Sequence, residues 1–189
     1  MVTLTEALRR VAPDALVPHI VDGPGFDVQQ NGASLIWRLR GSEQLGDDRW
    51  AFLYETSTGL EAAVMLELMP EAGAAVYTTA LTNASDKPSD PIDELWAYSL
   101  HLTGGGSSRV ISAAGGPLAH EYPPKNVFWT QLRDIDDSSP RAEFSEPASW
   151  SSNTHLPIFM VLLDAAPDST GLLFGLGWLA SSRLKARRI

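Results

Sequence analysis

Residues 34–39, 50–56, 61–68, 74–82 and 95–102 are apolar-rich runs of strand length, and from Gly23 onward Gly, Pro, Asn or Asp punctuates the chain at short intervals. That spacing predicts an all-β chain. In two runs the apolar positions alternate: Val64, Leu66 and Leu68 in one, Trp96, Tyr98, Leu100 and Leu102 in the other. Successive side chains of a strand point to opposite faces, so each set marks a core-facing side. Ahead of the strands, Thr3 and Glu6 have capping-box spacing, and Leu4, Leu8 and Val11 recur at helical intervals before Pro13. A short N-terminal helix closed by Pro13 is predicted there.

Two later runs differ in kind. Residues 158–163 and 172–176 are bulky, nearly uncharged and without alternation, and they flank the turn-rich stretch 165–171. They read as a hairpin with both faces covered, in the middle of a sandwich. In its second strand Gly175 and Gly177 alternate with Leu176 and Trp178, as expected where a strand bends or another backbone or a ligand comes close. Residues 82–91, TNASDKPSDP, form a loop by their Asn, Asp and Pro content. The glycine run TGGGSS at 103–108 reads as a hairpin tip, because neither the helix nor the lysine of a phosphate-cradling loop follows it. Residues 113–151 read as one long irregular excursion with a single strand at 127–132, and such a loop on a rigid scaffold is the place to expect a ligand surface. The closing RLKARRI reads as a solvated tail.

Composition narrows the classes. At 189 residues, 44% hydrophobic, the chain can bury one sizeable core, and residues 1–189 are expected to form a single domain. A net charge of -9 argues against nucleic-acid binding, which needs clustered positive charge. With no cysteine, disulfides, thiolate metal sites and thiol nucleophiles are excluded. The first residues lack a signal-peptide core and no run is long enough for a membrane span, so the expected location is cytoplasmic, with no membrane partner.

Candidate chemistry is sparse. Asp134 and Asp136 share a face if RDIDD is extended, a pair of carboxylates for acid/base work or a hard cation; an exposed acidic loop neutralised by Arg133 and Arg141 is the plainer reading. Ser151, Ser152 and His155 lack the nucleophile elbow of a serine hydrolase. His19, His101, His120 and His155 are scattered, so no metal site and no cofactor are expected. Of six tryptophans, Trp37 and Trp96 sit among alternating apolar residues and should be interior. Trp129 and Trp150 lie in or beside the excursion, where an indole can cover the apolar face of a sugar. These two are the candidates for a carbohydrate surface.

The succession ALTN at 80–83, LWAYSL at 95–100, SSNTHLPIF at 151–159 and GLLFGLGW at 171–178 resembles the N-terminal β-supersandwich of family 36 type α-galactosidases, the melibiases. SSNTHLPIF and GLLFGLGW are its most specific parts. The resemblance implies an all-β, galactose-mutarotase-like β-supersandwich with a short N-terminal helix. In that family the sandwich precedes a (β/α)8 barrel whose two aspartates act as nucleophile and acid/base. Such a barrel takes roughly 250 residues, whereas this chain ends eleven residues after Trp178. The family also continues past the equivalent tryptophan with a Ser-Gly-Gln-Trp type turn and another strand, where this chain has Leu179-Ala180-Ser181-Ser182.

The expected function is therefore that of a non-catalytic accessory sandwich of an α-galactosidase-like glycoside hydrolase, truncated or stand-alone. Carbohydrate would be its ligand, at Trp129, Trp150 and His155, with no residue assigned a catalytic role. The expected protein partners are a second copy, through an unfinished C-terminal sheet edge, or a separate catalytic barrel chain. The alternative is a mutarotase-like sugar epimerase, in which His155 with Asp134 or Glu121 would shuttle a proton between the anomeric hydroxyl and the ring oxygen.

Overall fold

The structure is a computed structural model that describes residues 1–103, 108–114, 129–136, 140–146, 158–163, 169–175 and 182–187. Its described residues form antiparallel sheets with one short α-helix, so the all-β expectation holds. The chain divides into two compact units, Met1–Thr103 and Gly104–Ile189.

The first unit opens on α1 (Leu4–Leu8). Thr3 Oγ1 accepts the Glu6 N–H at 3.1 Å and Glu6 Oε2 accepts the Thr3 N–H at 3.3 Å, so the capping box is formed. The helix stops short of Pro13, because Arg10 and Val11 donate to residues only three back, Ala7 and Leu8. Those tighter turns end the α-helical ladder. Leu4 and Ala7 are fully buried.

Two sheets supply the rest of this unit. One has the order β2 (Ala33–Ser34), β1 (Gly25–Gln30), β7 (Glu94–Ser99); the other is a meander of β3 (Arg38–Gln44), β4 (Arg49–Glu55), β5 (Leu60–Met69) and β6 (Ala74–Asn83). Leu60, Ala62, Val64, Leu66 and Leu68 of β5 are all buried and the residues between them are not, as the period of two demands. Register matches size across the pair: Phe52 lies opposite Val64, and Tyr54 opposite Ala62. Phe26 of β1 meets Tyr54 edge-on at 5.6 Å and Trp37 at 5.1 Å, and Tyr77 of β6 meets Tyr98 of β7 at 4.8 Å. These contacts, with Leu4 and Ala7, make one core between the two sheets, a β-sandwich. Gly25 has φ +78°, and a Cβ there would collide with Leu4, so only glycine lets α1 dock at the start of β1.

Several strand boundaries differ from expectation. The run at 34–39 is divided between β2 and β3, with Leu35, Ile36 and Trp37 between them, and β3 continues through polar residues to Gln44. Strand β1 was not expected, since GFDVQQ carries few apolar side chains. The run at 95–102 leaves its strand after Ser99, and Leu102 makes an isolated bridge to Ile20. The 82–91 loop has the turn chemistry its composition promised: Asn83 Oδ1 accepts the Ser85 N–H at 3.0 Å and the Ser85 hydroxyl at 2.7 Å.

In the second unit, β8 (Ser108–Ala114), β9 (Trp129–Ile135), β11 (Ile158–Leu162) and β12 (Gly171–Gly175) form a sheet of order β12-β11-β8-β9, and β10 (Arg141–Glu146) pairs with β13 (Ser182–Arg187). Val110 and Ile135 are buried. The expected hairpin exists as β11–β12; among the described residues β12 comes last in the strand order, and its Leu173 is 65% exposed. Gly175 has nothing within 4 Å of where a Cβ would stand, whereas a Cβ on Gly171 would lie 2.5 Å from the Val161 carbonyl oxygen. A close backbone approach is thus found at Gly171, while Gly177 and Trp178, on which the expected bend or close approach also rested, lie outside the described residues. The excursion at 113–151 contains β10 as well as β9. The basic tail is no loose end, since residues 182–187 pair in unbroken antiparallel register with β10, Glu143 opposite Lys185. A strand does follow Trp178.

Candidate functional site

Of the residues expected to meet carbohydrate, Trp129 opens β9 at a register position opposite Ala114. Trp150 and His155 lie outside the described residues, as do Glu121, Ser151 and Ser152. Trp37 and Trp96, expected inside, are both half-buried. The Trp37 ring packs on Phe26, and Trp96 Nε1 donates to Glu94 Oε2 at 3.0 Å.

The carboxylate drafted for proton transfer is differently engaged. Asp134 lies directly across the β8–β9 ladder from Arg109. Arg109 Nε donates to Asp134 Oδ1 at 2.6 Å and Nη2 to Oδ2 at 3.1 Å, a two-pronged fork. That hydrogen-bonded guanidinium holds the Asp134 carboxyl below its ordinary range, although neighbouring Asp136 works against it. A carboxylate held ionised in this way is a weak proton acceptor near neutral pH. An arginine not considered from the sequence, Arg109, is the one seen on Asp134 among the described side chains. Sequence spacing gives no hint of it, because the pairing exists only through strand register.

A second polar group went unnoticed in the sequence. A shallow depression of about 350 Å³ is lined by Ile36, Arg38, Glu55, Thr56 and Ser57. Arg38 pairs with Glu55, and Arg40 reaches Glu61 at 2.7 Å and Glu55 at 3.8 Å. Strand order explains the cluster, because β3 delivers the arginines beside the ends of β4 and β5 that carry the two glutamates. Ile36 is 89% exposed at the rim. The ledge offers guanidinium donors and carboxylate acceptors beside an apolar side chain, suited to a hydroxyl-rich ligand and too open to exclude water. The signal in the sequence was the pair Arg38 and Arg40 around Leu39, with Glu55 and Glu61 bracketing the 56–59 turn.

Three tyrosines are spoken for by packing. Burial pushes the Tyr54 hydroxyl up to about 12, with the Leu4 backbone offsetting part of the shift. Burial also pushes Tyr77 up, reinforced by Tyr98 and Tyr54, and raises Tyr98. Tyr77 donates to the Gly25 carbonyl at 2.6 Å, a structural bond across the sandwich. Among the described residues, no three His, Cys, Asp or Glu side chains gather as a metal site would require, and no helix is long and apolar enough to cross a membrane.

No protein-family model and no curated protein sequence matches the chain. Among solved structures, it is similar to the crystal structure of the alpha-galactosidase from Lactobacillus brevis, at 16% identity and a TM-score of 0.42 over 86% of this chain. The match spans 25% of that enzyme's chain.

Proposed function

We propose that this chain is a non-catalytic accessory sandwich of an α-galactosidase-like glycoside hydrolase, and that it binds carbohydrate without turning it over. The family assignment rests on the resemblance of residues 151–159 and 171–178 to the melibiase N-terminal β-supersandwich. The observation that weighs against the proton-shuttling alternative is the Arg109 fork on Asp134, which keeps the carboxylate drafted for that shuttle ionised. Retaining glycosidases need two carboxyl groups about 5–5.5 Å apart, one of them able to carry a proton. That residues 1–189 act as one domain, with Trp129, Trp150 and His155 facing the sugar, belongs to the same proposal.

Titration calorimetry with galactose and α-galactosyl oligosaccharides, run beside an aryl α-galactoside assay, tests it. Saturable binding without hydrolysis, weakened by Trp129→Ala, Trp150→Ala or His155→Ala, is the expected result. Hydrolysis that follows the purified chain and disappears on substitution of one Asp or Glu would overturn it.

A further inference from the structure

The meander of the first unit ends on two edges of opposite character. On β3 stand Arg38, Arg40 and Glu43, and its register with β4 shifts between Leu39 and Gly41. Strand β6 reads AAVYTTALTN, ten residues with no charge and no proline, in unbroken register with β5 from Ala74 to Asn83. Native sheets guard a free edge with charge, proline or a bulge, since unpaired N–H and C=O groups recruit another strand. β3 has two such guards and β6 has none. Among the described residues, no backbone hydrogen bond reaches the outer side of β6.

We infer that β6 pairs with β6 of a second copy of this chain, antiparallel about a two-fold axis, so that two meanders join into one continuous sheet. The strand suits itself as a partner. Centred on Thr78, the pairing sets Val76 against Ala80, Ala75 against Leu81 and Ala74 against Thr82, and no like charges meet. Val76 is 50% exposed, and Thr78, Ala80 and Thr82 are exposed with it, so β-branched and small side chains are ready to pack across the seam. Met65 and Met69 stand exposed beside them on β5 and extend the apolar strip. An isologous contact of this kind closes after two subunits and does not propagate into fibres. A charged partner would find no counter-charge on β6. Two copies, each at -9, should instead associate more tightly as salt screens their repulsion.

Sedimentation velocity over a concentration series of the full chain tests this, with Thr78→Lys, Thr78→Glu and an equimolar mixture of the two. Thr78 is exposed, so neither substitution disturbs the core. The wild type should form a dimer, each variant alone should associate about tenfold more weakly, and the mixture should recover the dimer through opposite charges across the seam. A wild type that stays monomeric would overturn the inference. So would a dimer indifferent to either substitution, or a loss that mixing does not repair.

Discussion

The β4–β5–β6 meander and the β11–β12 hairpin are both antiparallel and both rich in large apolar residues, yet they use them differently. On β4 and β5 of the meander every second side chain is buried: Trp50, Phe52 and Tyr54 on β4, and all five inward residues of β5. Strand β1 and helix α1 lie over that face and complete it. In the hairpin, apolar residues occupy both faces, but Leu172 and Phe174 are only half-buried and Leu173 is largely exposed. A continuous apolar run therefore states how much side chain needs cover, not where the strand stands in its sheet. Alternation carries more information, because it names the face a second layer must cover.

The hardest blow to this contrast is struck at Phe52, which is 1% exposed and stacks on Trp50 at 6.1 Å. Replacement by Ala should cost about 3–5 kcal/mol, from lost transfer energy and the cavity left behind. Urea denaturation followed by tryptophan fluorescence measures it, and a cost near that of an exposed site would mean the meander is not the core of its unit.

Next in size is Tyr77→Phe, which keeps the ring against Tyr98 and removes the bond to the Gly25 carbonyl. A buried carbonyl left unpaired should cost about 1–3 kcal/mol. The same variant alters the alkaline limb. Burial raises Tyr77 in the folded chain, so the unfolded chain ionises first, above about pH 10, and stability falls as pH climbs from there towards the folded-state value. Without the Tyr77 hydroxyl that fall should be shallower, with Tyr54, pushed up to about 12, and Tyr98 still contributing. Denaturation midpoints between about pH 9 and 12 read the slope directly.

Within the hairpin, Phe174→Ala should cost about 1–1.5 kcal/mol, since a half-buried ring returns only part of its area to water and leaves no closed cavity. Leu173→Ala should change the midpoint by less than about 0.5 kcal/mol, as expected of a largely exposed side chain. If Phe174 proved as costly as Phe52, the two regions would be equivalent and the contrast would fail.

What could be read from the sequence follows the same division. The capping box of Thr3 and Glu6 was legible because all its atoms lie within one turn, and β5 because Val64, Leu66 and Leu68 alternate. Strands β1 and β3 were not, since GFDVQQ and RLRGSEQ are mostly polar and are held extended by neighbours distant in the chain. The basic tail hid β13 for that reason too: nothing local makes RLKAR extended, and β10 does so by pairing with it. The Arg38–Glu55–Arg40–Glu61 ledge required the order of β3, β4 and β5 to be known first. Asp134 was singled out for its residue type, but its partner depended on the β8–β9 register.

The smallest effect is expected at that pair. Arg109 and Asp134 face solvent, where two charges gain little over their separate hydration and salt screens what remains. The fork lowers the Asp134 pKa in the folded chain, so whatever it contributes is present above the unfolded aspartate value near 4 and is lost as pH falls through the folded one. Asp134→Asn should accordingly leave the denaturation midpoint at neutral pH unchanged within error, and flatten the acid limb only below about pH 4. Under the proposed function, which gives Asp134 no part in catalysis, galactoside binding by the variant should equal that of the wild type. A neutral-pH loss comparable to that of Phe174→Ala would show that the second unit depends on this ion pair more than its exposure allows, and would bring the two regions closer than their burial patterns suggest.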